Sequence, residues 1–370
     1  MAEMMKFGDF ASFRYGKMPI KKKITESGKY PIYSGYRYVG FYDEYNTEAD
    51  QLIIVARGVG GTGDVKLTKD RCYLTNLSIA ANIDSNVVLS EYLYYYFKQR
   101  SLRYLDSGSA QSQITISDLE RVMIPIPPLS DQKAICSYLK LLDGKIQNNK
   151  KINENLQQQA QAIFANEFLS LESLPDGWKR GSLIDIADYL NGLAMQKYRP
   201  AVDEVGIPVL KIKELRQGCC DATSEVCSPN IKTNYIIHDG DVIFSWSGSL
   251  LVDFWCGGIC GLNQHLFKVT SSVYDKWFYY AWTKHHLERF IAVAADKATT
   301  MGHIKRDELA KAEVLIPNTA DYNRIGSLLH PIYDLIITNR IECKKLAETR
   351  DTLLPKLMSG EIDVSEVDYE

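Results

Sequence analysis

Few residue groups in this chain have the types and spacing to do chemistry, and none of them is complete. Gly58-Val-Gly-Gly-Thr-Gly63 follows an apolar run and fits Gly-x-Gly-x-x-Gly, half of a dinucleotide-binding fingerprint. The other half is a helix whose N-terminus holds pyrophosphate. Here Asp64-Val-Lys-Leu-Thr68 reads as a strand, which predicts a glycine-rich hairpin. Cys256 and Cys260 with nearby His265 suggest a metal site, but no second cysteine pair stands at zinc-finger spacing. The eight cysteines therefore read as separate thiols, and no metal is predicted. Asp334 with Glu342-Cys-Lys344 imitates a nuclease cluster, yet it falls on a stretch of heptad spacing where charged flanking positions are expected. There is no Walker loop, and no Asn-Pro-Pro-aromatic or Asp-Pro-Pro-Tyr string of the kind that holds an exocyclic amine. No catalytic residue is predicted, so any chemistry must come from a partner.

The elements around these residues are duplicated. Each half opens on a short apolar–acidic string, Phe7-Gly-Asp-Phe-Ala11 and Leu183-Ile-Asp-Ile-Ala187, followed by Gly16 or Gly192 and then by Pro31 or Pro208. Each continues with an acidic turn and a strand-like run, Asp50-Gln-Leu-Ile-Ile-Val-Ala-Arg-Gly58 and Asp241-Val-Ile-Phe-Ser-Trp-Ser-Gly248. Aromatic segments follow at Tyr92–Phe97 and Trp277–Trp282, then an Ile-Pro exit at Ile124-Pro125 and Ile316-Pro317. A tandem repeat, its two copies offset by about half the chain, accounts for all of this. Within each copy, β-branched and aromatic runs between Gly, Pro, Asn and Asp turns predict short strands, and the aromatic segments predict helices packed on a sheet.

After each exit the period changes. Ser130 and Asp131 are candidate N-caps. Apolar positions then recur at Ile135, Leu139, Leu142 and Ile146, and continue through Asn149 and Asn153 to Leu156, Ala160 and Ile163. The second set is Ile325, Leu329, Ile332, Ile336, Asn339, Cys343, Leu346, Arg350 and Leu353, every member at the same offset from its counterpart as Ile325 is from Ile135. Gaps alternating four and three predict a coiled-coil seam in which buried Asn fixes register. Pro331 predicts a kink or a delayed start in the second helix. Because a whole globular domain separates the two helices, they pair most economically antiparallel, as a rod with a domain toward each end. The predicted fold is α+β: two β-rich domains at 1–128 and 173–318, long helices at 129–172 and 319–358, and a tail at 359–370.

Composition constrains the setting. The chain has 370 residues, enough for two domains with cores of their own. No apolar run is long enough to cross a membrane, the N-terminus has no secretory pattern, and the scattered cysteines suit a reducing cytoplasm. Net charge is only −3, with acidic residues gathered near the C-terminus at Glu361, Asp363, Glu366, Asp368 and Glu370. Such a balance neither requires nor forbids nucleic acid.

The string Ile124-Pro-Ile-Pro-Pro-Leu-Ser-Asp-Gln-Lys-Ala-Ile135, then Leu142-Asp143, Asn149-Lys-Lys-Ile-Asn-Glu-Asn-Leu156 and Ala160-Gln-Ala-Ile-Phe164, resembles the central conserved region of type I restriction-modification specificity subunits. Leu353-Leu-Pro-Lys-Leu-Met-Ser-Gly-Glu-Ile362 is similar to the end of their distal conserved helix, and the opening of each half resembles their target recognition domains. Ile316-Pro-Asn-Thr-Ala-Asp321 departs from the Pro-Pro-Leu-x-x-Gln pattern locally.

The resemblance implies a noncatalytic reader of a bipartite double-stranded DNA site. It also implies two methyltransferase subunits docked on the helices, with restriction subunits as further partners. S-adenosylmethionine, ATP and Mg would belong to those partners, whose assembly would methylate adenine and cleave DNA. On this reading Lys21, Lys22 and Lys23 are candidates for phosphate, and Arg57, Gln111 and Gln113 for base edges or backbone oxygens. In the second copy the candidates are Lys211, Lys213, Arg216, Trp246, Ser247, Thr300 and His303. The competing reading is a coiled-coil scaffold whose β-rich domains bind protein.

Overall fold

The computed structural model describes residues 2–35, 37–58, 61–106, 112–296 and 306–364. Two compact units divide the chain: unit 1 comprises residues 1–144 and 348–370, and unit 2 comprises residues 145–347.

Unit 1 is built on an antiparallel sheet in the order Ala11–Tyr15, Ser78–Ile83, Leu52–Val55, Val65–Leu67. A second sheet joins Arg37–Tyr42, Tyr30–Ser34 and Tyr73–Leu74. A two-stranded ribbon pairs Glu3–Lys6 with Met123–Ile126, which brings the start of the domain to its Ile-Pro exit. The aromatic segment forms the helix Ser90–Gln99, and burial of Tyr92, Leu93, Tyr96 and Phe97 makes it core. Strand Leu52–Val55 pairs antiparallel with Val65–Leu67, so a strand and not a helix follows the glycine run, and the dinucleotide fingerprint lacks its helix N-terminus.

Unit 2 repeats the plan. Its main sheet runs Asp188–Asn191, Leu266–Thr270, Val242–Ser245, Leu251–Phe254, and its second sheet runs Val226–Cys227, Ile207–Leu210, Cys260–Leu262, Ile236–Ile237. The ribbon is Lys179–Ser182 with Glu313–Ile316, and the aromatic helix is Lys276–His285. One duplicated device explains why a residue at the start of each long helix matters. In unit 1 the buried Gln132 accepts the backbone N–H of Leu89, the residue that caps the aromatic helix, at 2.8 Å, and its amide donates to the carbonyls of Val87 and Pro127. In unit 2 Tyr322, the counterpart of Gln132 in the repeat, accepts the N–H of the capping Asp275 at 2.7 Å. The departure from the Gln motif thus keeps the hydrogen bond while changing the donor set.

The long helices are Leu129–Phe164, ended by a wider turn at Ala165–Leu169, and Thr319–Ser359. Two expectations are corrected here. Ser130 and Asp131 are not caps: the helix starts at Leu129, Gln132 N–H donates to the Pro128 carbonyl, and the Asp131 carboxylate lies in the first turn, where the helix dipole favours it. The delayed start expected from Pro331 is not found, since the second helix begins well before it at Thr319 and continues to Ser359. An interior proline removes one backbone hydrogen bond, and here the neighbouring apolar contacts of Leu329, Ile332 and Tyr333 with the unit 2 core hold the helix in place.

Within unit 2 the helices run antiparallel, since partners rise in number along one as they fall along the other. Cys343 Sγ contacts the Ile146 carbonyl, Asn149 Nδ2 donates to Glu342 Oε2 at 2.6 Å, and Asn339 Nδ2 donates to Asn153 Oδ1 at 2.9 Å. Within unit 1 Arg350 donates to Asp143 at 2.6 Å, and Asp143 also accepts the Tyr95 hydroxyl. Asn149 and Asn339 therefore occupy equivalent places but do not pair with each other.

The heptad positions divide between two tasks. Ile135 and Leu139, with Leu354 and Leu357, sit in the core of unit 1; Ile325, Leu329 and Ile336, with Ala160, Phe164 and Phe168, sit in the core of unit 2. Ile146 is buried, and Leu142, Leu156, Ile163, Ile332, Leu346 and Leu353 are half-buried. No helix among the described residues is long and apolar enough to cross a membrane.

His286 gives unit 2 a pH dependence. Its Nε2 bonds the Glu313 carbonyl at 2.8 Å, and burial lowers its pKa below the ordinary value. Between that lowered value and about 6.5 the unfolded chain binds a proton that the folded chain does not, so stability falls as pH falls through this window. The melting temperature should decline from pH 7.5 to 5.5, and less steeply in His286→Gln; equal slopes for the two proteins would remove His286 from the account.

Candidate nucleic-acid interface

In each unit the strand ends converge on one polar rim, and a glycine makes the convergence possible. Gly16 N–H donates to the Ser78 carbonyl and Gly192 N–H to the Leu266 carbonyl. A Cβ would stand 2.2 Å from the Leu74 carbonyl oxygen at Gly16, and 2.2 Å from that of Asn263 at Gly192. No side chain fits either place. The first strand of the main sheet can therefore lie against the turn that precedes the strand Ser78–Ile83, or its counterpart Leu266–Thr270.

In unit 1 this rim carries Arg57 and Gln113. They are remote in sequence, and the fold makes them antiparallel bridge partners. Ala56 and Arg57 both donate their N–H to the Leu77 carbonyl, and Gln113 N–H donates to Asp106 at 2.9 Å. Arg57 is exposed, and with Ser34, Gly35, Arg37, Val39, Gly58 and Leu77 it lines a groove of about 580 Å³. A guanidinium on a fixed backbone beside a groove has the geometry for a bidentate contact with a guanine edge or a phosphate. Lys21, Lys22 and Lys23 form a single exposed turn, with Lys23 3.9 Å from Glu44. An exposed cluster of this kind supplies non-specific attraction more than register.

Unit 2 distributes its candidates differently. Lys211 is engaged by Glu225, whose carboxyl is held below its usual range by the hydrogen bond from that ammonium. Lys213 donates to Thr223 at 2.7 Å and to Asp221 at 3.2 Å. Hydrogen bonds from Thr223, Gln217 and Lys213 keep Asp221 ionised well below the usual carboxylate range. Arg216 is exposed on the helix Ile212–Gln217. The two lysines thus already face carboxylates.

Trp246 and Ser247 lie on the rim: Trp246 Nε1 donates to Asn191 Oδ1 at 3.0 Å, and Ser247 Oγ is 3.1 Å from His265 Nδ1. Gln264 Nε2 is 3.4 Å from the other imidazole nitrogen of His265. Asn191, Gln264 and His265 are not apparent from the repeat read at a single offset. Gln111, Thr300 and His303 lie outside the described residues.

The cysteine and acidic groupings do not assemble into other sites. Cys256 and Cys260 sit in different apolar clusters, burial pushes the Cys256 thiol up to about 11 and Cys260 higher, and His265 is occupied by Ser247. Among the described residues no group of His, Cys, Asp or Glu is placed to hold a metal ion. Asp334 bonds His330 one turn away, whereas Glu342 meets Asn149 and Lys145.

Two β-rich units with duplicated polar rims, each packed on segments of two long antiparallel helices, define a tandem reader built on a helical scaffold. Comparison with known proteins gives the family. The type I restriction modification DNA specificity domain matches twice, over residues 2–158 and 175–347, and the chain belongs to this family. It is 29% identical over 322 residues to the type I restriction enzyme MjaIX specificity subunit of Methanocaldococcus jannaschii, covering 79% of this chain and 74% of that one. Its similarity to the MjaVIII specificity subunit of the same organism is 20% over 99% of this chain and 94% of the relative. The type I restriction-modification S subunit from M. genitalium shares the fold, with a TM-score of 0.66, 19% identity and coverage of 96% and 95% of the two chains.

Proposed function

We propose that the chain reads a bipartite double-stranded DNA site and is the noncatalytic specificity subunit of a type I restriction-modification complex. In this reading residues 1–128 and 173–318 each contact one half-site. The helices at 129–172 and 319–358 set the half-site separation and carry two methyltransferase subunits, which bring S-adenosylmethionine and the adenine methylation chemistry; restriction subunits bring ATP-dependent cleavage. The observation that carries the reading is the duplication itself. Two copies of one domain, each with a glycine-tightened polar rim, suit two separated stretches of duplex. Exposed cations supply phosphate affinity, while Arg57, Gln113 and the unit 2 rim supply base discrimination.

The purified chain, its methyltransferase subunits and their mixture, each incubated with S-adenosylmethionine and DNA, test this reading. Methyl transfer is expected only from the mixture and only at a defined sequence. Turnover or cleavage by the pure chain, or identical methylation with and without it, would overturn the proposal.

A further inference from the structure

We propose that Gln264 reads an adenine in the half-site served by unit 2, and that His265 is the positioning residue that aims it. This rests on the DNA-reading function proposed above and adds the residue and the base. The turn Asn263–His265 is fixed through its backbone. Asn263 N–H donates to the Leu210 carbonyl at 3.2 Å, Gln264 N–H to Leu193 at 2.9 Å, and Leu266 N–H to Asn263 at 3.0 Å. Gly192 lets the first strand of the main sheet close against it. Its side chains are then ordered by one another: Ser247, which is buried, meets Nδ1 of His265, and the Gln264 amide nitrogen meets Nε2. The Trp246 ring lies 6.3 Å from the imidazole and 5.6 Å from Phe267, closing the apolar side.

The hydrogen count assigns the readout. An amide has two N–H donors and one carbonyl acceptor, and a neutral imidazole has one donor and one acceptor. If Gln264 donates one hydrogen to Nε2, then Nδ1 carries the imidazole hydrogen and donates it to Ser247 Oγ. What remains on Gln264 is one N–H beside one carbonyl oxygen. That pair matches the major-groove edge of adenine, where N7 accepts and N6 donates. An amide anchored at one hydrogen has lost its rotational freedom before DNA arrives, which is what a discriminating contact needs. Lys211 and Lys213 are paired with carboxylates, and an ammonium has no acceptor to set beside its donors, so neither offers this donor–acceptor pair. Unit 1 has no copy of it: Asn76 and Leu77 stand at the equivalent turn, without an imidazole. The two half-sites therefore differ.

The test is methylome sequencing of the complete complex carrying the wild-type chain, Gln264→Glu, Gln264→Ala or His265→Ala, with melting curves of each chain. The wild type should show a fixed adenine at one position of one half-site. Gln264→Glu should move that position toward cytosine, whose N4 amine a carboxylate accepts, by roughly 10-fold or more. His265→Ala and Gln264→Ala should admit all bases there, and the other half-site should not change. An unchanged motif in both Gln264 variants overturns the proposal, whether or not the melting temperature falls, and so does a guanine at that position in the wild type. Equal loss on every DNA sequence with unchanged melting also overturns it, because that is the behaviour of a phosphate contact. If methylation by the wild-type complex does not depend on this chain, the parent reading fails first and this one with it.

Discussion

Four residues inserted into each long helix, between Asn149 and Asn153 in the first and between Asn339 and Glu342 in the second, should move methylation to sites whose half-sites lie one or two base pairs further apart. Both helices must be lengthened because these levels face one another: Asn149 bonds Glu342 and Asn153 bonds Asn339. One turn adds about 6 Å and leaves the residues beyond it rotated by about 40°, close to the rise of two base pairs at about 3.4 Å each. A four-residue insertion into a 3.5-residue seam locally unwinds the pair without breaking it. Methylation at the original spacing should fall on the order of 10-fold or more, since one half-site is then out of reach. Two inserted residues rotate everything beyond them by about 200° and should abolish methylation at every spacing. Sequencing the methylated sites checks this, and unchanged spacing in the four-residue variant would reduce the helices to a docking platform.

Gly192→Ala should destabilise unit 2 by about 3 kcal/mol, at the upper end of what overpacking costs, and lower its melting temperature on the order of 10 °C. The added methyl would meet backbone, 2.2 Å from the Asn263 carbonyl oxygen and 2.5 Å from that of Leu262, and neither can swing aside as a side chain would. The displaced turn holds Gln264 and His265, so recognition of one half-site should fail with it. Gly16→Ala should do the same to unit 1 through Leu74 and Thr75. The control is Gly144→Ala, inside the first long helix with nothing within 4 Å of the new Cβ, which should be neutral or stabilising by up to about 1 kcal/mol. Comparable melting temperatures for Gly192→Ala and Gly144→Ala would contradict the close-approach argument.

How much the sequence discloses depends on which patterns survive duplication. The long helices are legible because Ile135 and Ile325, and every heptad position after them, keep one common offset and one 3.5-residue period. The aromatic helices are legible because Tyr92–Phe97 and Trp277–Trp282 are dense in side chains that only a core accepts. Arg57 and Gln113 read from sequence as separate loop residues; that they are bridge partners depends on sheet pairing that no local pattern records.

The place of Gln264 and His265 on the rim is hidden in the sequence by unequal loops, and His265 reads there only as a neighbour of Cys256 and Cys260. Loop lengths differ between the copies, so the step from Gly16 to Gly192 is shorter than the step from Leu77 to His265. A single offset puts the wrong residues opposite each other. Aligning each strand separately, from Gly16 with Gly192 and Pro31 with Pro208, brings the turn Asn263–His265 into view. Lys211 and Lys213 mislead for the opposite reason, since composition shows their charge but not Glu225 and Asp221 beside them.

The most direct measurement is the methylome of cells that contain the methyltransferase subunits with and without this chain. The account predicts that the chain's presence creates methylation at one motif, made of two dissimilar half-sites separated by a fixed number of unspecified base pairs. A contiguous motif, two identical half-sites, or methylation that is the same without the chain would contradict it.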